Sequence, residues 1–304
     1  MLSYLHGFHA GGAADVLKHS ALVFCLSYLK QKEKPLLCVD THAGAGFYDL
    51  SSSAEWEQGI GRLIHAEALP PMLASYVRFN CPDVPAPAGE AALPAVQSSV
   101  PAGLLYSGSP AIMAKLLEKG DRLVCFELHP REFETLTVSM AELRKGEGGP
   151  AIETRREDGP GGIRSLLPPP SRRGLVFIDP SWEEREEYET IPGAVMEALR
   201  RFPEGTFMIW YPLLTLAKEK AVSSSPVGDT LFGLSNIKRC RLELYTGIPD
   251  AGAETKSSPR GMYGSGLVIY NPPWTLRAAL EEALPFLAKL LGGSHGGWRL
   301  DWEA

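Results

Sequence analysis

Seven consecutive residues, Asp40-Thr41-His42-Ala43-Gly44-Ala45-Gly46, close the apolar run from Pro35 to Val39 with an acid and a glycine-rich turn. Glycine has no Cβ to hold a ligand off the main chain, so Gly44 and Gly46 suit a turn whose N–H groups approach a bound molecule, as in open α/β sheets. The third glycine of a dinucleotide fingerprint is missing, because Phe47, Tyr48 and Asp49 follow. A pyrophosphate is therefore not the favoured ligand. Three more acids follow later apolar runs: Glu127 after Arg122 to Phe126, Asp158 with Gly159 after Ala151 to Thr154, and Asp179 after Gly174 to Ile178. An acid at the end of a second strand can accept from both hydroxyls of a ribose, which suits Glu127, and one after a third strand can take the exocyclic amine of an adenine, which suits Asp158. A short glycine turn on an acid-rich rim fits a nucleoside carrying a cationic sulfonium better than it fits NAD. The cofactor so indicated is S-adenosylmethionine.

The tetrapeptide Asp179-Pro180-Ser181-Trp182 indicates a reaction. Methyl transfer to an exocyclic base amine uses a nitrogen whose lone pair is delocalised into the ring, so acceptors must bind both N–H groups and draw the nitrogen toward tetrahedral geometry. A carboxylate and a proline-held carbonyl can do this, and an aromatic ring three residues on, Trp182, can stack on a base that has been flipped or unpaired. Asn271-Pro272-Pro273-Trp274 matches an amine-methyltransferase consensus better letter by letter. It follows the last core strand rather than the fourth, so it reads as a turn that packs Trp274 against the sheet.

These residues need elements to carry them. Leu17, Ala21, Phe24 and Tyr28 recur at helical spacing between Ala13 and Lys30, which predicts an amphipathic helix entering the first strand. Helices are expected over Glu55 to Glu67, Pro71 to Phe79 and Ala111 to Lys119, the last with Ser109-Pro110 as N-cap and N1. Further strands are expected at Thr206 to Trp210, Arg241 to Tyr245 and Gly266 to Tyr270. Strands alternating with helices predict an α/β fold with a twisted, mostly parallel sheet and ligands at its carboxyl edge. The segment 48–106 reads as an inserted helical subdomain with a Pro/Ala-rich loop from Pro82 to Gly103, between an amino-terminal part, 1–47, and the remainder of the core, 107–304.

Composition sets outer limits. With 304 residues, 44% of them hydrophobic and 22% charged, the chain can bury a large core. No apolar run approaches the ~20 residues of a membrane helix, and no basic and apolar leader opens the sequence, so a cytoplasmic protein without a membrane partner is expected. Five scattered cysteines (Cys25, Cys38, Cys81, Cys125, Cys240) read as core packing. His6, His9, His19 and His42 have no Cys or acid at ligand spacing, so no metal is expected. A net charge of -6 argues against a general polyanion binder and leaves local basic pairs, Arg155-Arg156, Arg172-Arg173, Arg200-Arg201 and Lys238-Arg239 with Arg241, as candidate patches.

The chain resembles the bacterial 23S ribosomal RNA adenine-N6 methyltransferases known as RlmJ. The resemblance is carried by Met1-Leu2-Ser3-Tyr4, His6, Phe8-His9-Ala10-Gly11, Ala14-Asp15-Val16-Leu17-Lys18-His19, the Asp40 to Gly46 turn, Gly108-Ser109-Pro110, Glu127-Leu128-His129-Pro130, Ser171-Arg172-Arg173-Gly174, Ile178-Asp179-Pro180, Trp210-Tyr211-Pro212, Arg260-Gly261-Met262 and Asn271-Pro272-Pro273-Trp274. It implies a Rossmann-like class I methyltransferase with a small helical insertion, monomeric, acting on one adenine of 23S rRNA in a protein-free or early-assembly state. By position it implies cofactor contacts for His19, His42, Ser109, Glu127, Asp158 and Gly159, and the acceptor role for Asp179. It also implies that Tyr4, His6 and Lys18 form a segment meeting the RNA. The chain departs from the family pattern after the catalytic acid, where Ser181 and Trp182 replace a second proline and a tyrosine.

Overall fold

Strands covered by helices on both faces must be apolar throughout, and the short runs picked out above form such strands. The computed structural model describes residues 6–81, 105–144, 148–214, 225–247 and 262–303. In chain order the elements are α1 (Ala13–Leu29), β1 (Leu37–Asp40), β2 (Phe47–Asp49), α2 (Ile60–Ile64), α3 (Pro71–Asn80), β3 (Leu105–Ser107), α4 (Ser109–Leu116), β4 (Arg122–Phe126) and α5 (Pro130–Arg144). They continue with β5 (Ala151–Arg155), α6 (Gly159–Gly162), β6 (Gly174–Ile178), α7 (Glu187–Arg201), β7 (Thr206–Leu214), α8 (Ser225–Gly233), β8 (Arg239–Tyr245), β9 (Met262–Tyr270), α9 (Leu276–Gly292) and β10 (Gly297–Glu303).

Eight strands make one sheet in the order β10-β8-β9-β7-β6-β1-β4-β5. The pairs from β5 through β4, β1 and β6 to β7 are parallel, and β9 and β10 run against their neighbours. From β1 the chain builds outward to β4 and β5, then returns to lay β6 and β7 on the other side. That reversal opens a crevice beyond the carboxyl ends of β1, β4 and β6, where open α/β sheets bind ligands. Every residue of β1 and β6 is buried.

Four elements differ from expectation in ways that bear on the site or the core, each for a physical reason. Helix α1 is not amphipathic: Val16, Leu17, Lys18, His19, Ser20, Ala21, Leu22 and Val23 are all buried, because α3, α4, α9 and β9 pack around it. The expected helix from Glu55 to Glu67 is a single turn at Trp56–Gln58 followed by five residues of α2, since the Ile60 N–H goes to Gly11 O, 2.8 Å away, instead of up a helix. Gly108, not Ser109, is the N-cap of α4, which places Ser109 in its first turn. Strand β7 runs on to Leu214 through Pro212; β6 pairs only as far as Ile209, so the missing N–H of Pro212 breaks no ladder bond to β6. Two pairings were not anticipated: β10 against β8, and the β2–β3 hairpin, in which Phe47 faces Ser107 and Asp49 faces Leu105. That antiparallel pair brings together the two ends of the segment 48–106, read above as an insertion. Its loop from Pro82 to Gly103 lies outside the described residues.

Candidate active site

A cleft of about 180 Å³ lies at the carboxyl ends of β1, β4, β5 and β6. His19, His42, Gly44, Ser109, Glu127, Asp158, Gly159 and Asp179 all line it, so residues scattered over 160 positions of sequence meet in one place. Gly44 has φ +59°, and a Cβ there would sit 2.1 Å from Tyr48 Oη, so the turn closes only with glycine. A Cβ on Gly159 would sit 2.1 Å from Thr41 O, which makes Gly159 the point where α6 meets the end of β1.

The acids are held differently from one another. Glu127 accepts from Gly44 N at 2.8 Å through one oxygen and from His129 N at 2.7 Å through the other, which fixes its carboxylate plane and leaves a lone pair on each oxygen. Burial raises its pKa. Asp158 caps α6, accepting from Gly161 N at 2.8 Å. Asp40 is fully buried behind the turn; Oδ1 takes the His42 N–H at 3.2 Å, and Oδ2 has no hydrogen-bond partner among the described residues. Burial, reinforced by Asp179 and Glu127, pushes the Asp40 carboxyl up to about 7. Burial has the opposite effect on His42, whose pKa falls to about 4, so its ring is neutral at physiological pH with Nδ1 2.8 Å from Thr41 Oγ1. Such a site is rich in acceptors, with backbone N–H groups at the turn. That donor and acceptor set fits a nucleoside with a cationic centre better than it fits a polyphosphate.

Asp179 is 2.7 Å from Lys18 Nζ, which also lies 2.9 Å from Asp15 and over the Trp210 ring, 5.2 Å from its centroid. Lys18 is 3% exposed. The expectation that Lys18 meets the RNA is therefore corrected: its charge is spent on Asp15 and Asp179 inside the fold. Trp182 is corrected likewise. Its φ of +55° turns the indole inward, where it is 4% exposed, packs edge-on against Tyr188 and donates from Nε1 to Trp210 O at 3.0 Å. The aromatic side chain that does line the cleft beside Asp179 is Trp210, and its Nε1 has no partner among the described residues. In the sequence Trp210 stands out only as the end of an apolar strand and in the Trp210-Tyr211-Pro212 motif, and it reaches the cleft because β7 continues past the last pair with β6, Ile178 with Ile209. Tyr48, His129 and Glu132 also line the cleft without having been singled out for it.

Other expected residues lie elsewhere. Tyr4 is outside the described residues, and His6 opens a short turn, His6–Phe8, whose first side chain is likewise not described. Asn271 is at the opposite edge of the sheet, because β9 runs against β7 and pairs Tyr270 with Phe207 at the start of that strand. Its side-chain amide donates to Pro203 O and Gly205 O, both at 2.7 Å, and ties down the α7–β7 loop. Trp274, expected to pack on the sheet, is 77% exposed. Among the basic pairs, Arg239 and Arg241 are buried and engaged with Glu303, Asp229 and Asp301, so they present no cationic surface.

A family model described as Ribosomal RNA large subunit methyltransferase D, RlmJ, matches residues 33–304. The chain belongs to this family. Two proteins named Ribosomal RNA large subunit methyltransferase J are similar over 99% of both chains, one from Haemophilus influenzae at 36% identity and one from Escherichia coli at 34%. A crystal structure of a Legionella pneumophila protein matches with a TM-score of 0.79 at 30% identity, covering 97% of this chain and 99% of that one. Membership of this family makes the protein a large-subunit ribosomal RNA methyltransferase.

Proposed function

We propose that the protein transfers a methyl group from S-adenosylmethionine to the N6 amine of one adenine in 23S rRNA. The observation that carries this reading is the convergence of Glu127, Asp158 and Asp179, from three different strand ends, on one cleft beside the Gly44 turn. The names of the relatives supply ribosomal RNA of the large subunit as substrate class. The cofactor supplies an electrophilic methyl group on a sulfonium. Glu127, its plane set by two backbone N–H groups, accepts from the ribose hydroxyls, and Asp158 accepts from the adenine amine of the cofactor. Asp179 accepts from the N6 amine of the target base, and Lys18 holds that carboxylate in place and balances its charge. Trp210, on the cleft wall, replaces Trp182 as the ring against which a flipped base would lie.

The test is methyl incorporation from labelled S-adenosylmethionine into protein-free 23S rRNA, with nucleoside mass spectrometry of the product. N6-methyladenosine formed by the wild type and not by Asp179→Asn is the expected result. Incorporation into DNA in preference to RNA, or cofactor binding without turnover on either, would reject the substrate or the activity respectively.

A further inference from the structure

His19 is 1% exposed yet lines the cleft, and its Nδ1 lies 2.7 Å from Tyr106 Oη on β3. That hydroxyl is in turn 2.8 Å from Tyr76 Oη on α3. Both tyrosines are fully enclosed, and burial holds their hydroxyls well above the ordinary phenol pKa, so each keeps its one proton. Tyr76 Oη has Tyr106 Oη as its only hydrogen-bond partner among the described residues. A buried O–H without an acceptor is costly, so Tyr76 must donate to Tyr106. Tyr106 then has its own proton to place, and His19 Nδ1 is the acceptor within reach. The opposite polarity, with His19 donating from Nδ1, would pass the chain's last proton to Tyr76 and leave it stranded.

We infer that Tyr76 and Tyr106 are positioning residues that hold His19 as the tautomer protonated at Nε2. Four carboxylates, Glu127, Glu132, Asp158 and Asp179, line the cleft, and the side-chain donors beside them include Ser109 Oγ and the Trp210 Nε1–H, which has no partner among the described residues. A ligand bearing a carboxylate needs a side-chain donor there, and the fixed tautomer makes His19 one. The inference deepens the S-adenosylmethionine reading, on which it rests for the identity of the ligand, and it gives the 48–106 insertion a part in the site, since both tyrosines belong to it.

Long-range ¹H–¹⁵N spectra of the ligand-free protein read the tautomer directly, with His19 assigned by its disappearance in His19→Gln. The expected spectrum shows Nε2 protonated and Nδ1 bare; a protonated Nδ1 overturns the inference whether or not the cofactor binds. Calorimetric affinity for S-adenosylmethionine supplies the second reading. Tyr106→Phe should bind several-fold more weakly and show, in the same spectra, a share of His19 protonated at Nδ1 that the wild type lacks, because nothing then donates to Nδ1. A folded Tyr106→Phe with wild-type affinity and an unchanged His19 spectrum would overturn the role, and the double variant Tyr76→Phe/Tyr106→Phe, which strands no hydroxyl, replaces it if the single one unfolds. Failure of the wild type to bind S-adenosylmethionine would instead overturn the cofactor reading and the role with it, while the ring spectrum still decides the tautomer.

Discussion

Asp40 shows how a site can cost its fold stability. Its carboxyl titrates near 7 in the folded protein against 3.8 as an unperturbed group, chiefly because it is buried. Between those values the folded state holds a proton that the unfolded state has lost, so stability falls as pH rises through this window. His42 acts in the other direction: its pKa, lowered to about 4 from 6.5, contributes stability above 6.5 that is lost as pH falls toward 4. Replacing Asp40 by Asn keeps the shape and removes the charge. Asp40→Asn should therefore melt higher than the wild type at pH 8, by roughly 1 to 4 kcal/mol, with the gap closing toward pH 5. Denaturant melts at the two pH values check it, and a gap independent of pH would place the Asp40 titration outside this window. Lys18 gives a second test at the same scale. Since its charge is buried against Asp15 and Asp179, Lys18→Met should lower kcat while leaving the salt dependence of RNA binding unchanged; a phosphate contact would reduce that slope by about one unit.

At the scale of elements, the parallel strands and their acids were legible because apolar runs ending in an acid and a turn are local signals. β4 and β6 fall on the expected residues, and β1, β5, β8 and β9 differ at their ends. What local signals could not supply was direction in three dimensions. Lys18 and His19 sit on what reads as the surface of an amphipathic helix, and only the packing of α3, α4 and α9 around α1 buries them. Trp182 occupies the right position after Asp179, but a left-handed backbone at that residue turns its ring into the core. Trp182→Ala should consequently cost about 3 to 5 kcal/mol of stability, the range for losing a large buried aromatic. A base-stacking platform would instead lower kcat/KM for RNA with stability unchanged. Gly159 is the matching case on the other side of the cleft, where α6 touches Thr41 O closely enough to exclude any side chain. Gly159→Ala must push α6 away from β1, and cofactor affinity should fall even though no contact to the cofactor has been deleted; equal affinity would show that α6 can shift without moving Asp158.

Across the whole molecule the cleft lies where the two halves of the sheet diverge, with Glu127 and Asp158 following β4 and β5 on one side of β1 and Asp179 following β6 on the other. A ligand bound there bridges both halves and stabilises the native fold by mass action. At one hundred times its Kd, S-adenosylmethionine should add about 2.7 kcal/mol, which raises the melting temperature of a chain this long by roughly 5 °C. Variants should then separate the two halves of the site in a single kind of measurement. Glu127→Ala removes hydrogen bonds to a charged acceptor worth about 1.5 to 3 kcal/mol, which at the same ligand concentration cuts the stabilisation to roughly 0.3 to 1.3 kcal/mol. In the proposed assignment the Asp179 carboxylate serves the base rather than the cofactor, so Asp179→Asn should keep nearly the full shift while losing turnover. Loss of the shift in Asp179→Asn, with Glu127→Ala unaffected, would mean that the cofactor lies along β6 instead of β4, and the assignment of acids to cofactor and base would have to be exchanged.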